Sequence, residues 1–405
     1  MKSAVPLKQR PLFITGVCQA AIALVVSSMF ANLTAKRKPK RMNPNVMAKI
    51  RKKKKAFNIY LKSKEGEDYL KYIAARNEAK NELRKAVIKF EREFAKKAKA
   101  DPKAFYRYVN SRSKTKPVIS SLHGKGGELI QDETRMAEEF NGFFASVFTT
   151  EDVSNVPVVV PDPRIAKLTT IVFSRNEIHQ VLKKVKAGSS PGPDGIHPMI
   201  LKECASEMAS PLYDLFVKLF EMGQIPTAWK AGNITPIHKK GSKVQVENYR
   251  PISLTSVVSK CMEKIVRDRL LKHMMGNGIL SERQHGFVPG RSCITQLLEV
   301  MDLWTEALEE GVAIDAVYLD FAKAFDTVPH ARMMAKLQGC GIDGAVLEWI
   351  RSFLTERRQR VCIRGNESSW TAVRSGIPQG TVLGPILFVI YINDLPGVIT
   401  SYLYM

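Results

Sequence analysis

Cysteine is sparse, with six in 405 residues, and the six (Cys18, Cys204, Cys261, Cys293, Cys340, Cys362) stand apart without a CxxC or Cys/His pairing. That spacing argues against a zinc site or a disulfide framework and favours reduced, intracellular thiols. No internal repeat and no low-complexity tract beyond the lysine runs appears, so a solenoid is excluded. Acidic charge is what the first 116 residues have least of: they hold 31 Lys and Arg against 8 Asp and Glu, while the rest of the chain holds 31 of each. The whole net charge of +23 therefore sits in the front quarter.

What is present fits a chain of two or three units, since 405 residues exceed one ordinary domain and 45% apolar content can bury a sizeable core. The basic block is densest at Lys36-Arg37-Lys38 and Arg51-Lys52-Lys53-Lys54-Lys55. Cations at that density suit polyanion contact through counterion release, so Lys52, Lys53, Lys54 and Lys55 are candidate nucleic-acid contacts. A solvated helix face or a nuclear-import tract is the alternative. Residues 12–30 form an apolar stretch after Lys8 and Arg10, interrupted by Gln19, Ser27 and Ser28, with no clear small-x-small cleavage site after it. Signal, membrane anchor and accidental leader all remain open for it, with no clear membrane partner. The expected location is intracellular, in nucleus or cytoplasm. Nothing in the sequence sets an oligomeric state.

The expected organisation is a leader over residues 1–35, a basic helical region over 36–150, a linker over 151–170 and a larger domain over 171–405. Residues 51–100 have helical period, with Leu83, Val87, Phe90 and Phe94 on one stripe, and residues 132–148 repeat it with Met136, Phe140, Phe143 and Val147. The prolines and valines of 151–170 carry no such period.

Beyond the linker, breakers cluster in a fixed order. Ser189-Ser190-Pro191-Gly192-Pro193-Asp194-Gly195 makes paired turns between two helical stretches, 176–186 and 197–209. Ile234-Thr235-Pro236-Ile237-His238-Lys239-Lys240-Gly241 follows, then Asn248-Tyr249-Arg250-Pro251-Ile252-Ser253-Leu254 and Gln284-His285-Gly286-Phe287-Val288-Pro289-Gly290-Arg291. Ala316-Val317-Tyr318-Leu319-Asp320-Phe321-Ala322-Lys323-Ala324-Phe325-Asp326 brings an apolar run to a carboxylate, and Ser375-Gly376-Ile377-Pro378-Gln379-Gly380 precedes an apolar helix over 384–392. On its own, Asp320 reads equally well as a helix cap or a metal ligand.

In this order the blocks resemble the motifs of non-LTR retrotransposon reverse transcriptases, the jockey-like elements nearest, over roughly residues 176–405. The resemblance implies an α/β fold of fingers and palm, an antiparallel palm sheet backed by helices, behind a basic helical extension. It implies an RNA-directed DNA polymerase with an RNA template, a DNA primer and deoxynucleotides as partners. Two Mg²⁺ ions are the implied cofactor, held in part by the Asp320 carboxylate and the Phe321 carbonyl, since hard Mg²⁺ takes oxygen ligands and two-metal sites stabilise in-line displacement.

The same resemblance makes Phe325 the ring beneath the incoming sugar, Lys239 and Arg250 the triphosphate contacts, and Gln379 with Gly380 the contact to the nascent pair. Arg291 and His285 become template contacts. Residues 313–319 are expected to be the strand carrying Asp320, incompletely paired and partly exposed, with Asp326 holding the turn before Pro329. The family pattern continues past a block like Asn393-Asp394-Leu395-Pro396 into a Tyr-Ala-Asp-Asp hairpin, whereas this sequence reads Ser401-Tyr402-Leu403-Tyr404-Met405. On that pattern the palm is expected to be incomplete and the thumb missing from the sequence as written. The polypeptide as written is expected to be inactive for want of the second carboxylate pair, and a non-catalytic nucleic-acid-binding remnant acting through the basic region is the alternative.

Overall fold

A computed structural model describes residues 43–96, 119–124, 126–399 and 401–404. The apolar stretch 12–30 and Lys36-Arg37-Lys38 lie outside the described residues. Among the described residues no helix is long and apolar enough to cross a membrane. The chain divides into two units at residues 118 and 119. The expected boundary at 150 is thus moved forward, because the helix over 133–146 belongs to the core of the second unit.

The first unit, over its described residues, is a helical hairpin of α1 (Pro44–Ser63) and α2 (Gly66–Lys96). The period seen over 51–100 is real, but one helix has become two. Asn43 caps α1 by accepting from the Val46 amide at 2.9 Å, and Pro44 suits the first turn, where its missing N–H is not needed. The chain reverses at Lys64, which takes a left-handed φ of 53° and donates its amide to the Tyr60 carbonyl at 2.8 Å. Leu83, Val87, Phe90 and Phe94 are all half-buried, as one stripe requires. Between the helices Phe57 meets Tyr72 and Tyr60 meets Tyr69, with centroids 5.0 and 5.1 Å apart.

The second unit opens with the short pair β1 (Leu122–His123) and β2 (Leu129–Ile130), then α3 (Glu133–Ser146). Helices α4 (Arg175–Lys183), α5 (Pro198–Glu203), α6 (Ala205–Glu221) and α7 (Thr227–Lys230) lead into β3 (Ala231–His238) and β4 (Tyr249–Leu254). Helices α8 (Val257–Gly276), α9 (Cys293–Glu309), α10 (His330–Gly339) and α11 (Gly344–Leu354) follow. Strands β5 (Arg357–Ile363), β6 (Asn366–Glu367) and β7 (Thr371–Val373) precede the last helix, α12 (Gly384–Ile392).

The main sheet runs β4-β3-β5-β6, with β7 also on β5. It is a sheet backed by helices, as expected, but it is mixed: β3 and β5 pair in parallel, from Ala231↔Arg358 to Ile234↔Val361, and the other pairs are antiparallel. A hairpin can join only antiparallel neighbours, and the chain between β3 and β5 passes through four helices, long enough for a crossover.

One sheet face is closed by α3. Met136, Phe140 and Phe144 of the helix meet Ile234, Tyr249, Val361 and Ile363, all 5% exposed or less. Phe140 and Tyr249 pack edge to face at 4.9 Å. The stripe of α3 thus turns toward Phe144 at the i+4 step from Phe140, leaving Phe143 and Val147 half-buried at its rim. Segment 151–170 is irregular, as expected of a linker, yet it is docked: the Glu151 carboxylate accepts from the Ala331 and Arg332 amides at 2.8 and 3.0 Å, where an anion suits the start of α10.

The strand expected over residues 313–319 does not form. Residues 312–320 have no ladder partner, and Val317, Tyr318 and Leu319 are 81, 86 and 72% exposed. A strand exists only where a neighbour takes its N–H and C=O groups, and none of the described strands lies beside this segment.

Candidate active site

The segment 375–380 and the segment 325–328 are built onto each other. Ile377 donates its amide to the Phe325 carbonyl at 2.7 Å and Gly376 donates to Val328 at 2.8 Å. The Ser375 hydroxyl donates to the Asp326 carbonyl at 2.8 Å, and the Gln379 amide nitrogen lies 3.3 and 3.2 Å from the two Asp326 carboxylate oxygens. The other side of the loop is tied to the sheet, since Ser253 on β4 donates its amide to the Gln379 carbonyl at 2.8 Å. Two glycines make this possible. Gly376 has φ +87° and Gly380 φ +103°, and a Cβ at either would stand 2.6 Å from a carbonyl oxygen, of Phe325 or Asp326 in the first case and of Ser253 in the second.

Behind the loop, the Glu263 side chain of α8 is fully buried and accepts from the Val382 and Leu383 amides at 2.7 and 3.4 Å and from the Ser259 hydroxyl at 3.0 Å. A carboxylate at the start of α12 satisfies amides that have no partner within the helix, and Leu383 at the cap has no side chain that could do so. Neither Glu263 nor this role was legible as a site in the sequence, because one acid in an amphipathic helix looks like a surface charge.

Between loop and sheet lies a cleft of about 30 Å³, lined by Ile234, Pro251, Ser253, Asp326, Arg357 and Gln379 among others. That is room for one water and not for a nucleotide. Burial pushes the Asp326 carboxyl above its usual value, against the lowering effect of Gln379 and Lys323. Burial likewise holds the Arg357 guanidinium down to about 10, with the Glu263 charge opposing the shift. Arg357 donates to the Phe353 carbonyl at 2.8 Å.

The sequence-derived residues fall into three groups. Gln379, Gly380 and Phe325 belong to the docked loop pair: Phe325 stacks on Phe388 of α12 at 4.7 Å and meets Phe287 edge to face at 6.4 Å. Asp326 does hold the turn before Pro329, its amide donating to Lys323 at 2.8 Å, and it also turns its carboxylate to Gln379. Asp320 and Phe321 stand five and four residues upstream of Phe325, both exposed, on the unpaired segment. Among the described residues no hydrogen bond or ion pair engages the Asp320 side chain.

Lys239 and Arg250 lie on the β3–β4 hairpin, both exposed, with the Lys239 amide donating to Asn248 at 2.8 Å and Arg250 opposite Ile237. His285 is 2% exposed, with Nδ1 3.2 Å from the Thr295 hydroxyl, and so offers no surface to a template. Its Nε2 is 3.3 Å from a Glu299 oxygen but too poorly aligned to count as a hydrogen bond. Arg291 spends Nη1 on the carbonyls of Ser281, Glu282 and Gln284, at 3.0, 2.5 and 2.9 Å. Both residues therefore serve the turn over 281–292. In the helical hairpin Lys52, Lys54 and Lys55 are exposed, Lys52 with an ion pair to Glu78 at 3.0 Å, and Lys53 is half-buried.

Among the described residues no group of three or more His, Cys, Asp or Glu is placed to hold a metal ion. A pair of Mg²⁺ ions needs several hard oxygen ligands, and one exposed carboxylate with its neighbouring carbonyl does not supply them. The residues present do not fit the two-ion group.

His330 marks how tightly the loop is held. Its Nε2 donates to the Gly376 carbonyl at 2.8 Å, and burial depresses its pKa below the ordinary 6.5. The unfolded chain then takes up the proton more readily, so this group's stabilising contribution is present above pH 6.5 and lost as pH falls through the depressed value. Asp326, with its pKa raised, acts in the opposite sense, losing stability as pH rises. Urea denaturation at pH 7.5 and 5.5 should therefore show a smaller acid loss in His330→Gln than in the native chain.

Residues 237–405 match a family model described as reverse transcriptase (RNA-dependent DNA polymerase). The chain is similar to a probable RNA-directed DNA polymerase from transposon BS of Drosophila melanogaster, 30% identical over 278 residues, covering 67% of this chain and 31% of that protein. It is similar to the RNA-directed DNA polymerase from mobile element jockey of the same organism, 27% identical over 296 residues, covering 71 and 32%. A retrovirus-related Pol polyprotein from a type-1 retrotransposable element R2 of Popillia japonica is 28% identical over 225 residues, covering 55 and 30%. The chain spans about a third of the length of these relatives.

Proposed function

We propose that this chain, whose residues 237–405 are a reverse transcriptase domain of the non-LTR retrotransposon family, is the nucleotide- and template-engaging part of an RNA-directed DNA polymerase. The observation that carries this reading is the docking of residues 325–328 onto residues 375–380. It brings the segment that follows Asp320 against the Gln379–Gly380 bend, and that joint orders a polymerase site. Phe325 is the sugar-facing ring, Gln379 and Gly380 meet the nascent pair, and the exposed Lys239 and Arg250 are the triphosphate cations. An RNA template, a DNA primer and deoxynucleotides are the partners.

The family uses divalent metal, and Asp320 with the Phe321 carbonyl is what the described residues offer toward magnesium, too little to hold the two-ion group. Asp320 alone gives too few carboxylate oxygens for transfer, so the 405-residue polypeptide should bind deoxynucleotide and extend no primer. Equilibrium dialysis with labelled dTTP checks the binding. Lys239→Ala and Arg250→Ala should each weaken it about tenfold, the scale of a lost charge-assisted hydrogen bond. A primer-extension assay on an RNA template checks the chemistry, and extension abolished by Asp320→Ala would show a working site.

One observation favours a second reading, a non-catalytic nucleic-acid-binding remnant. Arg51, Lys54, Lys55 and Lys62 line one side of α1, and all four are exposed. At spacings of three, four and seven to eight residues they form a stripe suited to phosphates. K54E/K55E should then remove most salt-sensitive RNA binding while leaving dTTP binding as it was.

A further inference from the structure

The main sheet has one face closed by α3 and one open. On the open face stand the side chains that alternate with Ile234, Val361 and the other buried positions: Asn233 and Ile237 of β3, Arg250 of β4, and Arg358 and Arg360 of β5. The parallel register sets Asn233 beside Arg360, and the Arg360 Nε donates to the Asn233 side-chain oxygen at 2.9 Å. Trp370, in the turn into β7, lies across this row. The guanidinium carbons of Arg358 and Arg360 sit 4.8 and 4.6 Å from its ring centroid, and the ring is 38% exposed.

The two arginines differ. Arg360 is neutralised by an ion pair with Glu367 and fixed by Asn233, so it orients the indole and carries little net charge to a ligand. Arg358 is exposed, and among the described residues no carboxylate pairs with it. The arrangement is therefore a held aromatic plane beside an uncompensated guanidinium, on a sheet surface.

We propose that this open face is a binding surface for single-stranded nucleic acid, with Trp370 as the base-stacking platform and Arg358 as a phosphate contact. An indole with an exposed ring stacks any base, and a neighbouring guanidinium meets the backbone bidentately, the combination by which sheet surfaces hold single strands without reading sequence. A protein partner would be served less well, since the row lacks the contiguous apolar core that such interfaces bury. The surface meets the small cleft between loop and sheet at Arg358, which lines both, while Trp370 is not among the residues lining that cleft. It requires neither nucleotidyl transfer nor deoxynucleotide binding, so it stands or falls separately from the polymerase reading.

The test is fluorescence anisotropy of labelled 12-mers of oligo(U) and oligo(dT) with the full chain, in the native sequence and in a K54E/K55E background that silences the basic helix. W370A should bind both about tenfold more weakly, the scale of one lost base stack. R358A should lower the slope of log affinity against log salt by about one. Tryptophan emission should be quenched by the oligomers, not by inorganic tripolyphosphate, and W370F should abolish that quenching. Tighter oligo(U) binding identifies RNA as the preferred strand, and equal binding identifies a surface indifferent to the sugar; both support the proposal. Unchanged affinity in W370A and R358A, or quenching by tripolyphosphate alone, overturns it. Circular dichroism checks folding, and R358A at an exposed position carries the test should W370A unfold.

Discussion

Gly376→Ala is expected to lower the unfolding free energy by about 3 kcal/mol or more and to abolish dTTP binding, read by urea denaturation and equilibrium dialysis. Two effects add. At φ +87° an L side chain is strained by about 1–2 kcal/mol. The new Cβ would also stand 2.6 Å from the Phe325 and Asp326 carbonyl oxygens and 2.7 Å from the Asp326 Cα, all backbone atoms that no rotamer change can move away. The loop must therefore lift off residues 325–328, giving up the Ile377 to Phe325 and Gly376 to Val328 hydrogen bonds, each worth about 1 kcal/mol net. Gly365→Ala makes the control: its φ is +92°, but nothing lies within 4 Å of its added Cβ, so it should show the backbone strain without the loss of binding. Equal losses of stability and binding in the two variants would show that the close approach at Gly376 has no special weight.

How far the sequence could be read follows from what each element depends on. The segments whose folding is decided locally were legible: the periodic apolar stripe of α3, the apolar run of α12, the turn glycines at 376 and 380. Residues 313–319 were misread because an apolar, β-branched run has strand propensity wherever it sits, while a strand requires a neighbour that sequence alone does not place. The parallel β3–β5 pair was hidden for a related reason, since the 118 residues between His238 and Arg357 give no local sign of which strands become adjacent. Arg291 and His285 show a different limit. Charge or ring type marks a residue that can bind nucleic acid, yet the Ser281, Glu282 and Gln284 carbonyls and Thr295 take up these groups within the fold. Motif order located the loop pair, and only the geometry showed that Asp326 and Glu263 both hold it.

Glu263→Ala should cost about 3–5 kcal/mol, the range found when one member of a buried charged network is removed. Three donors lose their acceptor at once: the Val382 and Leu383 amides and the Ser259 hydroxyl, two of them at the start of α12 where no side chain of the helix replaces it. The loss also reaches Arg357, whose buried guanidinium keeps the Phe353 carbonyl but loses the negative charge that opposes its desolvation. Glu263→Gln separates these contributions. Its amide oxygen can still accept from Val382, so the α12 cap survives in part, while the charge opposite Arg357 is gone; about half the loss is expected. Hydrogen exchange at the Val382 and Leu383 amides gives the local readout. Exchange should accelerate strongly in Glu263→Ala and modestly in Glu263→Gln, with residues 376–380 following because they are joined to the same turn. If both variants instead unfold at the native urea midpoint with those amides still protected, the carboxylate does not anchor the loop, and the order of the Gln379–Gly380 bend must come from Ser253 and Asp326 alone.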